Sequence, residues 1–198
     1  MKTQTIRIKK EIITSQVFKN PKAMQLLWFI LLSADKKEGK LKTTQAQITE
    51  TTGLSASATE KSIEMLKNEG YISKRKAGDN ISIQVKNDFP YIAKGKTQDF
   101  IKLDSNIVHF DWLHEVPAKH LWIYLLMKAN TEPQQLNKTV IGTGILIATV
   151  SGLAASTGLT ISQIRTALDK LSGNNLIEVK TTNKFTIIRI NNYDVYQK

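Results

Sequence analysis

Apolar residues between positions 158 and 190 recur with two different periods, and each period predicts an element. Ile161, Ile164, Ala167, Leu168 and Leu171 fall three and four apart, the spacing that lines one face of a helix. Ser162, Gln163, Arg165, Thr166, Asp169 and Lys170 fill the other face. Thr160 carries the short hydroxyl side chain that accepts a backbone N–H at a helix start. Gln163 stands where a capping box needs a glutamine or glutamate. Gly173, Asn174 and Asn175 end the helix, since both residue types tolerate the left-handed backbone of a C-terminal cap. Beyond them, β-rich runs at 176–180 and 185–190 flank Thr181, Thr182, Asn183 and Lys184, which predicts a hairpin. A Gly158–Leu159 turn, then a helix, then a hairpin predict a helix-turn-helix followed by a wing.

The same signals occur earlier. A shift of about 105 residues lays Gly53 and Leu54 on Gly158 and Leu159, Leu66 on Leu171, and Tyr71 and Ile72 on Leu176 and Ile177. Gly39, Leu41 and Ile48 fall on Gly144, Leu146 and Leu153 without a gap. Further back the shift becomes about 94: Trp28 matches Trp122, and Leu31 and Leu32 match Leu125 and Leu126. A two-fold repeat of this length predicts two copies of one domain.

In the first half, a helix from about 22 to 34 carries Met24, Leu27, Trp28, Leu31 and Leu32 on its apolar face, with Pro21 in the first turn. A charged loop spans 35–40. The second helix, 44–52, has Thr44 and Gln47 in capping-box positions. The third, 57–68, has Ser57 and Glu60 in the same relation; Ala58, Ser62, Ile63 and Leu66 form its buried face, and Thr59, Lys61, Glu64 and Lys67 its exposed one. Runs at 72–76 and 81–86 form a hairpin around Ala77, Gly78, Asp79 and Asn80. In the second half, helices are expected at 117–130 and at 150–157, the latter capped by Thr149. A longer loop at 131–142 and a small strand at 144–147 lie between them. The lead-ins at Ile6 to Ile8 and Ile101 to Leu103 predict short strands. A strand outside its core exposes unpaired backbone groups, so the two are expected to pair within the chain or with another copy of it. The expected fold is α+β, mostly α: tandem winged helix-turn-helix domains at 1–92 and 100–198, each a three-helix core with a β-hairpin wing, joined by a linker at 93–99 that follows Pro90.

Charge sharpens this picture. The net charge is +11, with 28 basic against 17 acidic residues, and a basic balance favours a polyanionic partner, nucleic acid first. Residues 1–96 hold +9 of it and residues 97–198 hold +2. The chain has no cysteine, so disulfides, thiolate metal sites and thiol nucleophiles are excluded. His109, His114 and His120 have no matched carboxylates, so no metal site is expected. Gly142 and Gly144 lack the residues of a phosphate loop. No catalytic arrangement and no cofactor are expected, hence no enzyme. The start lacks the apolar run of a signal peptide, and the apolar run at 26–32 is too short to span a bilayer, so the expected compartment is the cytoplasm. Trp28 and Trp122 sit beside leucine pairs on apolar faces and are read as core.

Four stretches carry a resemblance to a known family: IKLDSNIVHFDW, LWIYLLMKAN, LAASTGLTISQIRTALDKL and IEVKTTNKFTIIRINNYDVYQ. Together they resemble the N-terminal winged-helix domain of phage replisome organizers and DnaD-like primosome proteins. The resemblance covers nearly all of the second half, is most specific in TTNKFTIIRINNYDVYQ, and is looser in the first half. It implies a role in replication initiation, binding DNA or an initiator complex and helping to bring in a helicase. Two departures are visible. The sequence ends at YDVYQK, where no separate helical DNA-binding domain is expected, and Thr149, Val150, Ser151 and Gly152 stand where basic residues open the middle helix. Helicase loading is therefore not carried over. The tandem layout is similar to that of plasmid replication initiators, which bind repeated DNA sites with two such domains.

In a helix-turn-helix the second helix offers its N-terminal half to base edges in the major groove. That nominates Ser57, Thr59, Lys61 and Glu64 in the first half and Ser162, Gln163, Arg165 and Thr166 in the second. Glutamine reads adenine and arginine reads guanine through paired hydrogen bonds. Lys74, Arg75 and Lys76 in the first wing, and Thr182, Asn183 and Lys184 in the second, suit phosphate or minor-groove contacts. The three consecutive basic residues and the half-chain charges assign most of the phosphate affinity to the first half. The implied partners are double-stranded DNA, replication proteins such as a helicase or initiator, and a second copy of the chain, with no membrane. A transcriptional regulator, or a winged-helix interaction module without direct DNA binding, remain as alternatives.

Overall fold

The computed structural model describes residues 5–35, 37–86, 100–104, 115–136 and 139–196. The expected linker at 93–99 lies outside these residues, as do His109 and His114. The first half runs β1 (Thr5–Lys9), short 3-10 turns at Lys10–Thr14 and Val17–Lys19, α1 (Pro21–Ser33), β2 (Lys40–Thr44), α2 (Gln45–Thr52), α3 (Ala56–Asn68), β3 (Ile72–Ala77) and β4 (Asn80–Val85). The second runs β5 (Phe100–Asp104), α4 (Val116–Lys128), β6 (Gln134–Leu136), β7 (Thr139–Ile141), β8 (Ile145–Ala148), α5 (Val150–Thr157), α6 (Ile161–Gly173), β9 (Ile177–Thr181), β10 (Thr186–Ile190) and a 3-10 turn at Tyr193–Tyr196. Among the described residues each half has three α-helices and a three-stranded antiparallel sheet, ordered β2-β4-β3 and β8-β10-β9. The fold is α+β of winged-helix type.

The halves correspond down to single hydrogen bonds. Gly53 and Gly158 both close a helix with φ near +70°, the left-handed conformation that glycine adopts without strain. Thr52 Oγ1 donates to Ile48 O at 2.6 Å, and Thr157 Oγ1 to Leu153 O at 2.7 Å. Val85 N donates to Gly39 O and Ile190 N to Gly144 O, each at 2.8 Å. These pairs all stand 105 residues apart. The first helices do not follow the expected shift of 94. Their N-caps, Asn20 and Glu115, and their C-caps, Ala34 and Ala129, are each 95 apart. Trp28 therefore corresponds to Ile123, and Trp122 to Leu27, so the two tryptophans sit one position out of step. The ten extra residues fall between Asn130 and Gly144, where the β6–β7 hairpin stands; the sequence was expected to form a plain loop there.

Local chemistry explains most of the element ends. Thr44 with Gln47, and Thr160 with Gln163, form complete capping boxes. Thr149 Oγ1 accepts from Gly152 N as expected. The start of α3 differs from expectation: Ser55, not Ser57, is the cap, with its Oγ accepting from Ala58 N at 3.3 Å. Ile161 also departs from its stripe and is 46% exposed, because it is the first residue of α6 and no preceding turn covers it. Gly144 is held by a close approach: a Cβ there would stand 2.8 Å from that of Tyr193, whose hydroxyl donates to Ala129 O at 3.2 Å.

One apolar cluster runs through both halves. Trp28 and Trp122 are 1% and 2% exposed, as their apolar faces predict. β1 and β5 pair antiparallel within the chain, with Ile8 opposite Ile101, which answers the question of where the lead-in strands go. The Arg7 guanidinium lies 3.7 Å over the Phe100 ring on this ribbon. A second seam forms where the Phe18 ring meets His120 of α4 at 4.6 Å between centroids, and His120 Nε2 lies 3.0 Å from Thr157 O. Next to Thr157, the Gly158 backbone rests on the Lys19 carbonyl so closely that a methyl group on Gly158 would overlap the oxygen.

Candidate nucleic-acid interface

In the second half, α6 presents Ser162, Gln163, Arg165 and Thr166 to solvent on one face. Arg165 makes no ion pair among the described residues, so its guanidinium stands free, with Asp169 one turn away. Gln163 is only half available. Its Oε1 accepts from Thr160 N at 2.9 Å, so reading adenine through both amide atoms requires opening the capping box. Lys170 is paired with Glu115 at the start of α4. In the wing, Thr182 is a turn-forming residue rather than a free ligand. Its Oγ1 accepts from Phe185 N at 3.1 Å and donates to Phe185 O at 2.9 Å. Asn183 and Lys184 remain exposed at the tip.

The first half differs in chemistry. Ser57, Lys61 and Glu64 lie on the exposed face of α3, but Thr59 does not: it is fully buried and its Oγ1 accepts from Gln45 Nε2 of α2 at 3.3 Å. Glu64 holds Lys67 at 2.9 Å, and Glu60 holds Lys74 at 2.7 Å, with the Lys74 side chain only 12% exposed. Lys74, Arg75 and Lys76 do not act as one basic cluster, because they lie along β3 and successive strand residues point to opposite faces. Lys74 and Lys76 turn toward α3, while Arg75 faces away. Lys76 lines a groove of about 600 Å³ between the helices and the wing, together with Ser57, Gln45, Glu60 and Asp79. With Asp79 beside Lys76, and Glu60 already held by Lys74, that groove has no surplus of positive charge for a phosphate.

Two adjacent residues of α4, Lys119 and His120, are buried titratable groups. Burial lowers the His120 pKa to about 4, so the ring is neutral and its Nε2–H donates to Thr157 O at the helix-turn-helix turn. Lys119 is 1% exposed, and burial lowers its pKa to about 8. Its Nζ has no hydrogen-bond partner among the described residues. Among those residues no group of histidine and carboxylate side chains could hold a metal ion, and no helix is long and apolar enough to cross a membrane.

No family model matches the chain, and neither does any curated protein. Among solved structures it is similar to one described as the crystal structure of Pi initiator protein in complex with iteron DNA. The likeness has a TM-score of 0.47 at 9% sequence identity, covering 96% of this chain and 98% of that one.

Proposed function

We propose that this chain binds double-stranded DNA through two winged helix-turn-helix domains, copies of one unit at 1–92 and 100–198. It acts without enzymatic chemistry in the cytoplasm, in replication initiation or primosome assembly of a phage, plasmid or mobile element. The observation that carries the DNA-binding reading is the start of α6. Ser162, Arg165 and Thr166 share one exposed face, Arg165 is unpaired among the described residues, and no carboxylate precedes Asp169 on that helix. This is the half of a recognition helix that meets base edges. The net charge of +11 supports a polyanionic partner. The replication context rests on the resemblance of the second half to DnaD-like and phage replisome-organizer domains. Helicase or initiator proteins are the protein partners it implies.

The first half supports a second role. On its exposed α3 face Glu60 and Glu64 are each engaged by a lysine, which leaves Lys61 as the cation of that face without an ion pair among the described residues, and Glu60 and Asp79 line its groove. Such a face fits a protein surface, including a second copy of the chain, better than it fits phosphates. Base reading is accordingly assigned to α6. Arg75, Lys61 and Lys184 are left for phosphate contacts.

Fluorescence anisotropy with a labelled duplex tests the proposal. Binding at low salt should weaken linearly in log Kd against log salt. Arg165→Ala should cost about 1–3 kcal/mol on the preferred duplex and narrow its advantage over a scrambled one. No binding at micromolar protein in low salt would overturn the reading and favour a pure interaction module.

A further inference from the structure

Beside the helix-turn-helix of the second half lies a cleft of about 340 Å³ whose basic wall comes from the first half. Its lining takes Lys19 and Lys22 from the first half and Pro117, Gly158, Leu159 and Gln163 from the second. The Gly158–Lys19 approach holds these walls together, because the turn backbone sits directly on the Lys19 carbonyl. Both lysines are exposed, and neither makes an ion pair among the described residues. Among the described residues, no carboxylate lines the cleft.

Helix α6 itself carries few cations. Lys170 is held by Glu115, and Arg165 shares its face with Asp169. A recognition helix that enters the major groove brings the phosphates of the groove edge up to its first turn and to the turn before it. Here that position is the cleft. Gln163 borders it too: its carbonyl oxygen is tied into the cap, but its amide N–H groups remain to donate.

We propose that this cleft is a phosphate-binding site built across the two halves, in which Lys19 and Lys22 of the first half clamp the DNA backbone next to the start of α6. It rests on the DNA-binding reading above and adds a contact that neither half makes alone. The ligand is a backbone phosphodiester, so the site adds affinity without reading sequence.

The test uses the full chain and duplex binding across a salt series. Lys19→Ala with Lys22→Ala should flatten the slope of log Kd against log salt by about two units. Affinity should fall about fifty-fold at 0.1 M salt, from a slope near 0.9 per phosphate. The ratio between preferred and scrambled duplexes should not change. Lys19→Arg with Lys22→Arg should keep the slope. Lys37→Ala with Lys128→Ala, two exposed lysines outside the cleft, should leave it unchanged. The proposal is overturned if the cleft variant keeps the wild-type slope, or if the control pair flattens it equally. Either result leaves duplex binding itself standing. A wild-type chain that binds no duplex sinks both readings.

Discussion

Lys119 is buried on α4 with an amine that finds no hydrogen-bond partner among the described residues, and burial lowers its pKa to about 8. The unfolded chain holds that proton up to about 10.4. The folded state must therefore carry an unfavourable buried charge at neutral pH or give the proton up. Its cost is fully present below the folded pKa and disappears as pH rises from 8 toward the unfolded value. Lys119→Met keeps the length of the side chain and removes the charge. It should stabilise the fold by about 1–3 kcal/mol at pH 7, and the gain should shrink above pH 8 and be nearly gone near pH 10.5. Urea unfolding at the two pH values checks this; an unchanged or lowered stability at pH 7 refutes it. Nothing in the sequence singled out Lys119, because a lone lysine beside a histidine reads as solvent-facing. Thr59 was missed for a related reason. The helical wheel of α3 placed it outward, and only the reach of Gln45 from α2 shows that a second helix covers it. Gln163, in contrast, was placed correctly as a cap, and its capping bond ties up the oxygen that the proposed base contact would need.

Helix α6, its capping box and its wing were legible because each has a local cause: a 3.6-residue stripe, a Thr–Gln box, and a hairpin bounded by turn residues. The β6–β7 hairpin was not, since Gln134, Gln135 and Asn137 give no β signal and only the ten-residue insertion hinted at extra structure. The basic wing was legible as charge but not as geometry. Three adjacent basic residues look like a cluster in sequence, and strand alternation divides them between two faces. The turn before α6 was read as a turn, yet its second duty, seating on the first half, depends on Lys19, which is remote in sequence. This duty gives a quantitative expectation. Gly78 at the first wing tip has φ +59° and open space around it, so Gly78→Ala should cost only the left-handed strain of about 1–2 kcal/mol. Gly158→Ala carries the same strain at φ +71° and must also displace the Lys19 carbonyl. It should cost roughly 3–5 kcal/mol and weaken duplex binding along with stability. Equal costs for the two substitutions in denaturant unfolding would mean that the seam yields freely.

The two halves are joined by more than chain connectivity: the apolar cluster is continuous, α1 packs on α4, and the β1–β5 ribbon takes one strand from each half. The repeat announced two similar units, and the alternation in each lead-in announced a strand. That the two strands would choose each other was left open between pairing within the chain and pairing with another copy. The chemistry of the pairing is on the ribbon's two faces. Ile8 and Ile101 are fully buried beneath it, and Arg7 stacks on Phe100. Removing residues 1–10 deletes β1, takes Ile8 out of the shared core and leaves β5 with an unpaired edge. The lost burial is comparable to a large-to-small core change, about 3–5 kcal/mol, which for a chain of this size lowers the unfolding midpoint by roughly 10 °C. The bare edge of β5 should also pair with its counterpart in another molecule, shifting the truncated chain toward a dimer as its concentration rises. Calorimetry and light scattering over a concentration series measure both effects. A truncated chain that keeps the wild-type midpoint and mass would show that the ribbon contributes nothing to holding the halves together.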